Sequence, residues 1–547
     1  MRGSTAVFAT MLAAFLLMPQ WIQPSQAMDT VDLRPWFEWS MADRYGIDTD
    51  LDGLVDMPNT AAYVHGTVPS RCDPACPEAV FPVTLEAHIG GSSVGGAIPF
   101  IDYSWHLQPE TGPARDFVLH VPRVIVGLPE GRTEATLRLV VRVPFGSFGV
   151  AARRTIQIED ILVVAIGDSY ASGEGNPELH RGQTAGEPFW GDGSGSSATD
   201  ADHAQARRSS VAWPSQVAMD LERSDPRTSV TFVSVAASSA SVARGLLGPQ
   251  NARLPEPQVP RVEDLVGDRQ IDLLLVSIGG NDIGFSRLIA GLVDADPWLD
   301  PVCYETDLQN VWDAIADGQW NRVSRITWRI TNPFNIRCRS ARVDEGVTLA
   351  GLDGLPGELE RLAAAIETDL HPARVLIMEY PDPTGFSTGT STEICDEIVG
   401  DAAPLGLHEI SREEQRLGGI EVLDPLNAVI REAAQRHGWD YATGVAGAFV
   451  DGHGYCADWP NYGYPPEFGQ RLPFQRDRLD YPDAWYRNGG LDGTQRLEGP
   501  VSWYRTAGQS VALQGPDSRV DTTGTMHPNE LGHRAMADLV LAILQTH

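Results

Sequence analysis

Two textures of hydrophobic patterning divide the chain. Between residues 29 and about 158, apolar and polar positions alternate. Phe81-Pro82-Val83-Thr84-Leu85-Glu86-Ala87-His88-Ile89 does so, as does the run from Ala135 to Val143. A period of two belongs to a strand with one buried face. Gly and Pro punctuate the runs, and no long segment of helical period appears. The pattern predicts a small antiparallel β domain over 29–158, sandwich-like, with Thr155 to Ile158 as its last strand.

From Ile161 the period changes. Ile161 to Ile166 is a short continuous apolar run, as expected of a buried parallel strand. Val230 to Ala236, Ile271 to Ile278 and Arg374 to Met378 read the same way. Between them, Val211 to Leu221, Gly357 to Leu370 and Ile420 to Arg436 place apolar residues three and four apart, the spacing of amphipathic helices. Strands alternating with helices predict an α/β fold over residues 161–547, a parallel sheet covered by helices on both faces. Ligands of such sheets bind beyond the carboxyl ends of the strands. Two long insertions interrupt the pattern, about Pro177 to Ser210 and about Asp451 to Thr525. The second is rich in Tyr, Trp, Pro and Gly, which predicts an ordered wall of a substrate site.

Chemistry-bearing residues gather at the expected strand ends. Gly167-Asp168-Ser169-Tyr170-Ala171-Ser172-Gly173-Glu174-Gly175 follows the first apolar run. Gly279-Gly280-Asn281-Asp282 follows the third. Thr525-Met526-His527-Pro528-Asn529-Glu530-Leu531-Gly532-His533 precedes an apparent helix running to about Ile543, with Pro528 placed in its first turn. A serine, an amide and a histidine are the parts of an acyl-transfer site: nucleophile, oxyanion donor and general base. Each has a bland reading when taken alone. Ser169 could cap a turn, Asn281 could brace a loop, and His453 in Gly452-His453-Gly454 competes for the base. His533 is expected to pack within the helix.

Taken in order, these blocks resemble the SGNH (GDSL-type) hydrolase family of secreted esterases and lipases. The resemblance covers residues 161 to 547 and implies a three-layer, flavodoxin-like α/β domain. It implies Ser169 as nucleophile and His527 as base. The oxyanion hole would be formed by the backbone N–H groups of Ser169 and Ser239 and the side chain of Asn281. Ser239 stands where the family has Gly. The family's usual Asp, three residues before the histidine, is replaced by Gly524. Asp521 is one substitute. A backbone carbonyl between Asp517 and Met526 is the other, giving the Ser-His dyad of a subgroup of secreted bacterial esterases. The chemistry needs no cofactor.

The leader changes the expected compartment. Arg2, the apolar stretch Ala6 to Met18 and Ser25-Gln26-Ala27 predict a secretory signal over residues 1–27, hence an extracellular or periplasmic protein; a retained N-terminal anchor is the alternative. No other apolar run is long enough to span a bilayer. Export makes disulfides the expected state of the six cysteines, with Cys72–Cys76, Cys303–Cys338 and Cys395–Cys456 as the local pairing. Asp48-Thr49-Asp50-Leu51-Asp52-Gly53-Leu54-Val55-Asp56 matches the first part of a calcium loop, with Asp48, Asp50, Asp52 and Asp56 as ligands. Its twelfth position is Asn59 rather than Glu, and an Asp-rich solvated turn is the competing reading. A net charge of -32, with Arg the sole cation besides His, argues against nucleic acid and anionic membranes as partners. The expected partner is an ester substrate, and the expected state a monomer. A carbohydrate acetylesterase and a non-catalytic surface-binding protein are the competing functions.

Overall fold

The computed structural model describes residues 34–41, 81–90, 101–143, 146–176, 205–209, 211–267, 269–284, 336–383, 385–387, 392–394, 401–403, 406–408, 417–455, 502–505, 510 and 523–545. Residues 1–27, Asp48 to Asn59, Asp521, five of the cysteines and the side chain of Cys338 lie outside that set. So does most of each long insertion. The chain divides into two compact units.

Among the described residues the first unit, drawn from Met1–Trp39, Leu85–Ile125 and Thr133–Ile156, consists of strand segments, and some of those strands run on into the second. β1 (Pro35–Met41), β2 (Phe81–Ile89) and β5 (Arg123–Leu128) form one sheet. β3 (Ile101–Pro109), β4 (Arg115–Leu119), β6 (Gly131–Val143) and the start of β7 (Gly146–Gly167) form another. The alternation read from sequence sets its register: Tyr103, Trp105 and Leu107 stand opposite Leu139, Leu137 and Ala135, all buried. Phe37 of β1 meets Trp105 of β3 edge-on at 5.0 Å, an aromatic contact between the two sheets.

β7 corrects the sequence reading. The expected terminal strand Thr155–Ile158 and the expected parallel strand Ile161–Ile166 are one continuous strand. Glu159 and Asp160 look like a break between them. Asp160 is nonetheless buried, because Arg269 Nη2 lies 2.7 Å from its carboxylate and Thr231 donates to it at 2.5 Å.

The second unit holds a parallel sheet. Its strands are β7, β8 (Thr228–Ser234), β9 (Leu273–Ser277), β10 (Val375–Met378) and β11 (Asp440–Ala442). Pairing runs β8-β7-β9-β10-β11, every pair parallel. With β7 as the first strand this is the order 2-1-3-4-5 of a doubly wound sheet, which reverses direction between its first and third strands. Those strands are β7 and β9, and the Ser169 and Asn281 blocks follow them directly.

Right-handed crossovers in opposite directions along the sheet place helices on opposite faces. α2 (Trp213–Ser224) packs with α7 (Glu530–Gln545) on one face, and the short α6 (Val445–Val450) also packs on α7. α4 (Ile336–Ala365) packs with α5 (Asp424–His437) on the other. α3 (Gln258–Val266) joins the second group through the π-helical turn Ile366–Leu370 that extends α4. The strands between them are almost wholly buried: Leu162 to Ile166, Leu274 to Val276 and Leu376 to Met378 are closed to solvent. Among the described residues no helix is long and apolar enough to cross a membrane.

Candidate active site

Where β7 ends, the backbone makes a turn only glycine tolerates. Gly167 has φ +144°, and a Cβ there would sit 2.2 Å from the Ser277 carbonyl oxygen of β9. The close approach lets Asp168 N–H donate to that carbonyl at 2.9 Å. Gln258 of α3 clamps the same residue from the side, accepting from Gly167 N–H and donating to Gly167 C=O, each at 2.8 Å. One helical turn, α1 (Ser169–Ser172), follows, with Asp168 as its N-cap accepting from Tyr170 N–H at 3.0 Å. Ser169 is thus the first residue of the turn, and buried.

His527 is brought to Ser169 across 358 residues of sequence; its Nε2 lies 2.8 Å from Ser169 Oγ. Its Nδ1 lies 3.2 Å from the Thr525 carbonyl oxygen. A carbonyl can only accept, so Nδ1 carries the proton and Nε2 is left as the acceptor facing the serine hydroxyl. The turn over Thr523 to His527 holds this pose. His527 N–H donates to Gly524 C=O at 3.1 Å, and Met526 takes a left-handed φ of 60°. Segment 502–505 runs antiparallel beside it: Arg505 N–H donates to His527 C=O and Met526 N–H to Arg505 C=O. Tyr170 donates its phenol proton to Met526 C=O at 3.0 Å, tying the serine's own turn to the histidine's.

Pro528 is not in the first helical turn. α7 starts at Glu530, because Asn529 takes the capping position, its Oδ1 accepting from Leu531 and Gly532 N–H groups. His533 is buried in α7 and accepts from Trp213 N–H at 3.3 Å; burial pushes its pKa down to about 3. His453 stacks flat on Trp503, ring centres 3.7 Å apart.

The Gly279 block is bonded to the segment that follows Ser239. Asn281 Nδ2 donates to the Ala240 carbonyl at 2.9 Å, and the Asp282 carboxylate accepts from Val242 N–H at 2.9 Å. Ser239, one residue before Ala240, has φ 66°, the left-handed conformation glycine favours. Ser239 therefore holds a glycine-like backbone while carrying a side chain. Gly280 N–H donates to the phenol oxygen of Tyr380 at 2.9 Å, and that phenol donates to Asp168 Oδ2. Asn427 of α5 brackets the Tyr380 backbone, accepting from its N–H and donating to its C=O.

Electrostatics follow burial. Burial pushes Asp168 up to about 7, against the hydrogen bonds from Tyr380 and Tyr170 N–H. Burial likewise pushes Asp282 up to about 6 and the Tyr170 and Tyr380 phenols above their ordinary range. His527 is pushed down by burial, while the charge of Glu174 and the carbonyls of Thr525 and Gly524 pull it back up. A neutral imidazole near physiological pH is the protonation state a general base needs. Asp168, Glu174, Gln258, Tyr380 and Arg505 surround the site without having been singled out from sequence; only Asp168 and Glu174 stood inside a quoted motif.

No protein-family model matches the chain, and no curated protein does. Among solved structures it is similar to an aryl esterase of M. smegmatis, at 11% identity and a TM-score of 0.27, over 71% of this chain and 99% of that one. It is also similar to Est24, a carbohydrate acetylesterase from Sinorhizobium meliloti, at 13% identity and a TM-score of 0.21, over 51% of this chain and 82% of that one. Likeness this slight leaves the chemistry of the site to its own geometry.

Proposed function

We propose that the protein is a serine esterase of the SGNH type, hydrolysing carboxylic esters through a Ser-His dyad. One observation carries this reading: His527 Nε2 stands 2.8 Å from Ser169 Oγ while its Nδ1 is held on a backbone carbonyl. In the reaction His527 takes the Ser169 proton as Oγ attacks the ester carbonyl. The oxygen gains the charge, held by Ser169 and Ser239 N–H groups and the Asn281 amide. His527 then protonates the leaving alcohol, and water hydrolyses the acyl-enzyme by the same steps. The serine at the reversal point of the sheet supports this reading, since that crevice is where doubly wound sheets bind ligands.

The same reading includes export behind the 1–27 leader, the three local disulfides, a sandwich-like first unit and a calcium ion on Asp48, Asp50, Asp52 and Asp56. These rest on sequence. The test of function is turnover of p-nitrophenyl esters from acetyl to long-chain acyl by purified protein. Ser169→Ala and His527→Ala should each lower kcat by several orders of magnitude, and the double variant should be little worse than either, because the two act as a unit. A Ser169→Ala protein that retains turnover contradicts the proposal.

A further inference from the structure

Glu174 is a buried carboxylate five residues after the serine, and it touches both halves of the dyad's framework. Its N–H donates to Ser169 C=O at 3.1 Å. Its Oε1 accepts from Thr523 Oγ1 at 2.7 Å, across 349 residues of sequence. Thr523 opens the turn whose next two carbonyls, Gly524 and Thr525, receive the backbone and the ring N–H of His527. Neighbouring Gly175 lies against the same turn, where an added Cβ would sit 3.3 Å from the Gly524 carbonyl oxygen. A carboxylate in this place is costly to bury unless it is bonded and opposed by charge. Thr523 supplies the bond, and Arg207 Nε at 3.9 Å, partly exposed, supplies distant charge.

Resting on the esterase reading above, we propose that Glu174 is a positioning residue: it fixes the Thr523–His527 turn and supplies the negative charge that favours the His527 imidazolium, the role a triad enzyme gives to an Asp bonded directly to the ring. Among the described residues, the other groups around the imidazole leave that role to it. Tyr170 of α1 and Tyr504 are neutral phenols with their pKa values pushed up by burial. Asp168 stands behind Tyr170, bonded to Tyr380. Arg505 is engaged by Glu530 at 2.5 Å and by Asn176 Oδ1 at 2.7 Å. His533 of α7 is neutral above about pH 3. Burial lowers the proton affinity of His527, and the charge of Glu174 is the first influence that raises it. A dyad whose histidine rests on a carbonyl thereby keeps an anion near the imidazolium without placing one on the ring.

The test compares wild type with Glu174→Gln, which keeps an oxygen for Thr523 and removes the charge, and with Glu174→Asp, which keeps the charge. The readouts are the pH profile of kcat/KM on p-nitrophenyl acetate and the His527 pKa from ¹⁵N-histidine NMR. Loss of a nearby anion lowers the histidine pKa, so Glu174→Gln should move the acid limb and the NMR pKa down by about half a unit to one unit. The plateau should fall about three- to tenfold, the equivalent of that shift, with KM little changed. Glu174→Asp should recover most of the pKa. Arg207→Ala, at a partly exposed position, removes the opposing cation and should move the pKa upward, a readout that does not depend on the buried variants folding. A His527 pKa unmoved in Arg207→Ala, or in folded Glu174→Gln, overturns the proposal. Failure of the esterase reading would show separately, as turnover that survives Ser169→Ala, while NMR still reads His527.

Discussion

The phenol of Tyr380 donates to Oδ2 of Asp168, although 212 residues separate them in sequence. The same phenol oxygen accepts from Gly280 N–H. One side chain at the end of β10 thus joins the residue before Ser169 to the residue before Asn281. Tyr380→Phe keeps the ring and removes both bonds, leaving a buried N–H and a buried carboxyl short of partners. Such groups cost about 1–3 kcal/mol each. Urea unfolding should show a loss of at least about 1 kcal/mol, and ester turnover should fall as the Gly280-Asn281 loop loosens. A variant as stable and active as wild type would mean that the phenol bridges nothing of consequence.

Asp168 makes stability depend on pH with an unusual sign. Its folded pKa, raised by burial to about 7, lies above the ordinary 3.8. Between about pH 4 and 7 the folded state therefore holds more protons than the unfolded state, and stability falls as pH rises through that window. Asp282, raised by burial to about 6, acts in the same direction over about pH 4 to 6. Asp168→Asn keeps an oxygen to cap Tyr170 N–H and removes the titration. Its stability relative to wild type should improve steadily from pH 4 to 7 in urea midpoints. A difference independent of pH would place the titration elsewhere.

A dyad oriented by Thr525 C=O needs no acid at position 521. Asp521→Asn should leave turnover within about tenfold, whereas loss of a triad Asp costs about 10⁴. A collapse of activity in the folded variant would make Asp521 the third member.

Ser239 holds a left-handed backbone that side chains adopt at a cost of about 1–2 kcal/mol. Ser239→Gly removes that cost, keeps the N–H and loosens the unfolded chain, so stability should change by less than about 1 kcal/mol either way. Turnover should be retained, because the donor proposed at this position is the backbone. A large loss of kcat would mean that the hydroxyl itself takes part.

The residues of the proposed chemistry were legible because each sits in an unbroken motif against an apolar run. Ser169 and Asn281 follow strands whose continuous hydrophobicity is unmistakable, and His527 precedes a long amphipathic helix. What surrounds them was not legible. Gln258, Tyr380 and Arg505 act through contacts 91, 100 and 330 residues away, and no local pattern encodes those. α3 has nine residues and carries Pro260 in its first turn, where proline is tolerated, so little of a helical period stands out. The apolar spacing predicts a helix only from Gly357 onward; α4 instead starts at Ile336 and carries Pro356 inside it. β11 has three residues, too few for any period to show.

The central claim is that Ser169 is a nucleophile activated by His527. Its most direct test is covalent: a fluorophosphonate reacts with an activated serine and leaves a stable adduct. Peptide mapping after brief treatment should find one modified residue, Ser169, with labelling abolished in Ser169→Ala and slowed by orders of magnitude in His527→Ala. An adduct on another residue, or equal labelling without His527, would contradict the account.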